Sequence, residues 1–180
     1  MTILNRNPSN TNPLQPNKFT LTFSRLPNMQ YFCQTVSVPG ISLSEAGPQT
    51  TPFVDLYKPG EKAIYDLLNV TFTIDEELKA WTEIHDWIRG LTFPTSFKEY
   101  ADLAKLTRKV TINDPKNPQY SDATITIFSS SYTPLYRFKF YDCFPTSLST
   151  FVMSAADSPD TILTADTTFR FAYYDIDKVF

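Results

Sequence analysis

Residues 70–88 read VTFTIDEELKAWTEIHDWI and gather the residue types most able to do chemistry. Asp75, Glu76, Glu77, Glu83 and Asp86 supply carboxylates, and His85 is the chain's single histidine. A carboxylate beside an imidazole is the raw material of acid–base catalysis. On a helix, however, consecutive side chains point about 100° apart, so Asp86 is not placed to orient His85. One histidine also cannot make a two-histidine metal site. His85 therefore reads as a residue at the edge of a core with one hydrogen-bond partner.

The remaining text adds no reactive constellation. The serines lie in threonine-rich strand segments, outside any G-x-S-x-G elbow. Four glycines do not assemble a phosphate-cradling loop. Cys33 sits in a strand segment, where nothing lowers its thiol pKa. Cys33 and Cys143 are expected to be buried free thiols of an intracellular product. No nucleophile, base and orienting group can be assembled, so the expectation is a protein that is not an enzyme, with no cofactor and no metal.

The elements around the segment are legible by alternation. Phe19, Leu21 and Phe23 alternate with Thr20, Thr22 and Ser24. Residues 31–38 read as a second strand after a Leu-Pro-Asn turn. Leu68, Val70, Phe72 and Ile74 share one face, as do Ile125 and Ile127, and Phe138 and Phe140. Residues 147–153 are expected as a further strand. In the last strand Phe169, Phe171 and Tyr173 face one way, against Arg170, Ala172 and Tyr174. One apolar and one polar face per strand predicts antiparallel sheets buried on one side.

Asp75 is suited to cap a helix of about four turns, with Glu76 and Glu77 at the positive end of its dipole. Leu78, Trp81, Ile84, His85 and Ile88 fall on one face, opposite Lys79, Glu83 and Asp86. Gly90 is placed to end it. A second short helix is expected over 96–106.

The 180 residues, 42% hydrophobic, suffice for one domain with a real core. Residues 1–17, rich in Asn and Pro, read as a flexible arm, and 18–180 as a single β domain. The net charge of −3 gives no basic footprint for gripping phosphates. No apolar run approaches the ~18 residues of a membrane span, and the start lacks the apolar core of a signal peptide. Residues 39–62 read as a long, non-repetitive loop with Pro39, Pro48, Pro52 and Pro59. It also carries Ile41, Leu43, Phe53, Val54, Leu56 and Tyr57. So many apolar groups need a partner surface, which marks the segment as an assembly loop between subunits.

The ordered series of an Asn-Pro arm, CQTVSVPG, LNVTFTIDEELKAWTEIHDWI, YDCFPTSLS and TADTTFRFAYYDI resembles the tail-tube proteins of contractile-tailed bacteriophages. These include the baseplate proteins that start the tube. The resemblance spans roughly residues 17–176. It implies a mainly β (α+β) fold, an antiparallel β-sandwich or split barrel with one flanking amphipathic helix. It implies a virion protein assembled in the host cytoplasm into six-fold rings, which stack around a channel for DNA ejection. The implied partners are further copies of the chain, the tail sheath, and baseplate or neck proteins. Viral DNA passes through without specific binding, and no membrane is involved. Two other functions fit the same text. One is a neck or tail-terminator ring, and the other a soluble ligand-binding sandwich with Tyr57, Tyr132 and Tyr136 as a platform.

Overall fold

The computed structural model describes residues 11–50, 52–92, 94–106, 119–156, 158 and 161–179. The chain is mainly antiparallel β. In order it runs β1 (Phe19–Phe23), α1 (Pro27–Phe32), β2 (Cys33–Val36), β3 (Ile41–Thr50), β4 (Asp55–Tyr65) and β5 (Leu68–Thr73). Then follow α2 (Lys79–Thr92), α3 (Lys98–Leu106), β6 (Ser121–Phe128), β7 (Pro134–Leu148), β8 (Thr164–Arg170) and β9 (Tyr173–Lys178).

Seven strands form one bent sheet in the order β1-β6-β7-β8-β5-β2, with β9 paired to β7. The 15-residue β7 is shared between its two halves. Its first part pairs β6 and β9, from Pro134 to Tyr141. Its last part pairs β8, from Phe144 to Leu148. Between them Tyr141 and Asp142 stand opposite the single residue Asp122, because the register jumps from Ala123–Phe140 to Ser121–Cys143. Asp142 takes a left-handed φ of 55° there. Two residues against one, with the extra residue left-handed, is a β-bulge, and a bulge bends its strand.

The last strand turns the same corner beside it. β8 ends at Arg170 and β9 starts at Tyr173, and the amide of Ala172 donates to the Tyr141 carbonyl at 3.0 Å. This break shifts the expected alternation by one. Phe169 is fully buried and Phe171 half-buried, as expected. Tyr173, however, is exposed, and Tyr174 packs inward against Phe140 at 5.4 Å.

The core follows from alternation elsewhere. Leu21, Phe23, Leu68, Val70, Phe72, Ile125 and Phe169 are all essentially inaccessible. Two predicted strands are shortened. Residues 27–32 form helix α1, with Pro27 at its start, where the missing N–H costs nothing. β7 stops at Leu148, so 149–153 are not strand.

Helix α2 lies on this core, rotated from the expected face. Its buried residues are Ala80, Ile84, Trp87 and Gly90. Residues 80, 84 and 87 cluster within about 60° on a helical wheel, while 78, 81, 85 and 88 fall to one side. Leu78 is 39% exposed with φ 56°, and precedes the helix. Trp81 and Ile88 are half-buried against the core. Trp87 is the anchor, its indole N–H donating to the Gln119 carbonyl at 3.2 Å. The helix also runs through Gly90 to Thr92 rather than ending there. Asp75 caps as expected, though from a turn ahead. Its two oxygens accept from the amides of Lys79 and Ala80 at 2.9 and 3.0 Å.

Candidate assembly surface

The segment 39–62 is not an irregular loop. Its residues form most of a two-stranded antiparallel ribbon, β3 paired to β4 from Ile41–Tyr65 to Thr50–Asp55. The alternation of Ile41 and Leu43 with Ser42 and Ser44 is its sequence signal. The Pro59-Gly60 pair looks like a turn but sits inside β4 as an irregularity. There the register jumps from Leu43–Ala63 to Glu45–Pro59, with Ser44 opposite the extra residues. A Cβ on Gly60 would stand 2.4 Å from the Ser44 carbonyl oxygen, so only glycine fits. Ser44 Oγ accepts from the Lys62 amide at 3.2 Å.

Among the described residues the ribbon's strands pair extensively only with each other. All six residues expected to serve assembly are exposed on it: Ile41, Leu43, Phe53, Val54, Leu56 and Tyr57. Ile64, which the sequence reading missed, joins them at 53% exposure. Phe53, in the connecting turn, is 94% exposed. Seven large apolar groups thus stand exposed on one ribbon, a larger apolar patch than a monomer ordinarily leaves in water.

The ribbon's root is fixed to the corner of the main sheet. Tyr65 packs on Phe171 at 5.6 Å and on Tyr174 at 5.3 Å. The Tyr174 hydroxyl donates to the Pro39 carbonyl at 3.4 Å. The Asp66 amide donates to the Gly40 carbonyl at 3.1 Å and closes the base. The slip that turned Tyr174 inward therefore ties the ribbon to the body.

The acidic and imidazole groups that opened the question are dispersed. Glu83 reaches α1, accepting from the Asn28 side-chain amide at 2.7 Å and its backbone amide at 3.3 Å. His85 is more exposed than expected and stacks on Trp81 at a centroid distance of 5.1 Å. Its Nδ1 does meet Asp86 Oδ1, at 3.3 Å, because two exposed side chains can swing together despite diverging at the backbone. Among the described residues, no group of three His, Cys, Asp or Glu side chains is arranged to hold a metal. No helix among them is long and apolar enough to cross a membrane. Both cysteines are free, Cys143 buried as expected and Cys33 only half-buried because it opens the edge strand β2. Burial pushes the Cys33 thiol up to about 11, and pushes Cys143 further, with the Asp122 charge adding to it.

Among the described residues the fold is an antiparallel sheet with unpaired strand edges and a ribbon of exposed apolar groups. The model of the phage tail tube protein family matches residues 9–177, and the chain belongs to that family. It is a structural tail component and not an enzyme. It is similar to the tail tube terminator protein of Enterobacteria phage T4, with 28% identity over 148 residues, covering 81% of this chain and 76% of that protein. Its fold is shared with the tube-terminating cap of the anti-feeding prophage. There the TM-score is 0.62 at 16% identity, over 99% of this chain and 100% of the other. It is also shared with the sheath/tube terminator of the PVC extracellular contractile injection system in its extended state. That TM-score is 0.61 at 15% identity, over 92% and 97% of the two chains.

Proposed function

We propose that this chain forms a six-fold ring that ends a phage tail tube. The observation that carries the assembly reading is the exposed apolar ribbon, which one copy leaves uncovered. The 28% identical relative is named a tail tube terminator, which favours the end of the tube over its length. Among solved structures that share this fold, two are described as a cap and a terminator, and others come from a baseplate and a sheath-tube complex. The partners are then the last ring of the tube, the sheath end and neck proteins. The family model, described simply as a tail tube protein, supports the second reading, a ring repeated along the tube or starting it at the baseplate.

Ring closure gives the open edges a purpose. Among the described residues β2 pairs only β5, β1 only β6 and β9 only β7. Unpaired edges template further pairing, and a closed ring removes them. The outer face of β2, β5, β8 and the end of β7 suits the channel wall. Its side chains satisfy one another across strands: Gln34 donates to Thr73 at 2.8 Å and Thr71 to Asp166 at 2.6 Å. Thr168 bonds Thr146 at 2.8 Å and Ser147 at 2.6 Å. A wall of self-paired hydroxyls has few free cations to hold phosphates, so DNA would pass without being gripped.

The test adds purified protein to preformed tail tubes and images them by negative-stain electron microscopy. A terminator leaves one ring at one end of each tube. Growth of long stacks from this chain alone shows the repeated tube ring instead. A monomer under all conditions overturns both.

A further inference from the structure

Two apolar surfaces stand open on each copy. The first is the ribbon tip, Phe53 and Val54, with Leu56 beside it. The second is a cleft of about 400 Å³ between the free edges of β1 and β2, where Phe19, Val36, Val38, Ile125 and Ile127 contribute apolar walls. That volume is within the range of side-chain and ligand pockets.

One copy cannot join its own two surfaces. Val36 and Val38 lie at the cleft, and the chain enters β3 at Ile41, so the ribbon is rooted at the cleft's rim. Ten residues of extended chain at ~3.3 Å each carry Thr50 about 30 Å from that root. Phe53 at the tip is 94% exposed, so the tip is not seated in its own copy's cleft. The charges also match. Asp55 is the one charged residue between Thr50 and Tyr57, and Lys18 is the one charged residue lining the cleft. Lys18 is held at the rim by the Tyr132 ring and the Ser130 carbonyl.

We propose that the ribbon tip of one copy seats in the β1–β2 cleft of a second copy, with Phe53 and Val54 as the inserted anchors and Asp55 facing Lys18. This rests on the ring reading above. Such a contact joins two different patches, so it passes from copy to copy and closes when the rotation closes.

The experiment mixes full-length Phe53→Cys protein with full-length Val38→Cys protein, oxidises the mixture, and compares it with oxidised wild type, which carries the two native thiols. A covalent dimer in the mixture, absent from wild type and from either variant alone, is expected. Separately, Phe53→Ser and Val38→Glu should each weaken association at least about tenfold in analytical ultracentrifugation, as truncating or charging a central anchor does. Circular dichroism should be unchanged. Rings that form from the mixture without the cross-link overturn this contact and leave the ring reading standing. Cross-linking that appears only after residues 1–10 are deleted means the chain's own N-terminal segment fills the cleft, which also overturns it. Wild type that never associates overturns the ring reading itself.

Discussion

The amide of Asp142 donates to the Asp122 carboxylate at 3.2 Å, across the bulge where β7 leaves one half of the sheet for the other. Asp142 holds φ 55° to make that bond. Asp122→Ala should leave the amide unmet and cost about 1–3 kcal/mol. Asp142→Gly should be nearly neutral or stabilising, whereas Asp142→Val places a β-branched residue in a left-handed conformation and should be strongly destabilising. Urea unfolding of the three variants checks the order. Equal losses for Gly and Val would show that the backbone conformation is not what the corner depends on.

Helix α2 is held by Trp87, at 1% exposure, between the Phe169 ring at 6.3 Å and the Arg25 guanidinium at 4.9 Å. Trp87→Ala should cost about 3–5 kcal/mol. His85→Gln, on the exposed side, should stay within about 0.5 kcal/mol and leave assembly intact. Chemical denaturation and sedimentation measure both. A folded, assembling His85→Gln protein that had lost an activity would contradict the structural role of this residue.

Asp75 gives a pH-dependent contribution. Partial burial pulls its carboxyl up, but the amides of Ala80 and Lys79, together with the Lys79 charge, outweigh it and leave the group below its ordinary range. A depressed folded pKa stabilises above the unfolded value of about 3.9 and loses that stabilisation as pH falls through the folded value. Asp75→Ala should therefore cost about 1 kcal/mol at pH 7, as a lost helix cap. The gap from wild type should narrow below about pH 4. Denaturation midpoints at pH 7 and pH 3 give the comparison, and a constant gap would deny the cap its charge.

The two thiols should resist alkylation in the folded protein near pH 8, since burial holds Cys33 at about 11 and Cys143 higher. The raised values mean that thiol burial stabilises the fold fully below the unfolded value of about 8.5, and that this is lost as pH rises through the folded values. Mass spectrometry of non-reduced protein, alkylated before and after unfolding, should count zero and then two adducts. A mass corresponding to a Cys33–Cys143 bond would refute the free-thiol state.

Replacing residues 43–57 with a short Gly-Ser linker should leave a folded monomer, because the ribbon pairs extensively only with itself. It should abolish rings and stacks. Circular dichroism, ultracentrifugation and electron microscopy read the two effects separately. Normal assemblies from the shortened chain would remove the ribbon from the interface, and loss of the fold would place it in the domain's own core.

The sequence by itself determined the strands and their buried faces wherever pairing is regular. The period of two is a local property, so Leu68, Val70 and Phe72 could be assigned to the core without knowing what covers them. It also determined the Asp75 cap and the second helix, since caps and helical turns are made by neighbours in sequence. It singled out the apolar residues of 39–62, which stand exposed, but took a two-stranded ribbon for an irregular loop. Tertiary structure decided the rest. Which stripe of α2 faces inward depends on where the sheet lies, and that chose Trp87 over His85. The slip at Phe171–Ala172 exists because β8 and β9 pair different parts of a β7 bent at Asp142. No local pattern encodes a bend in another strand. That bend turns Tyr174 inward onto Pro39 and Tyr65, and so roots the ribbon in the body.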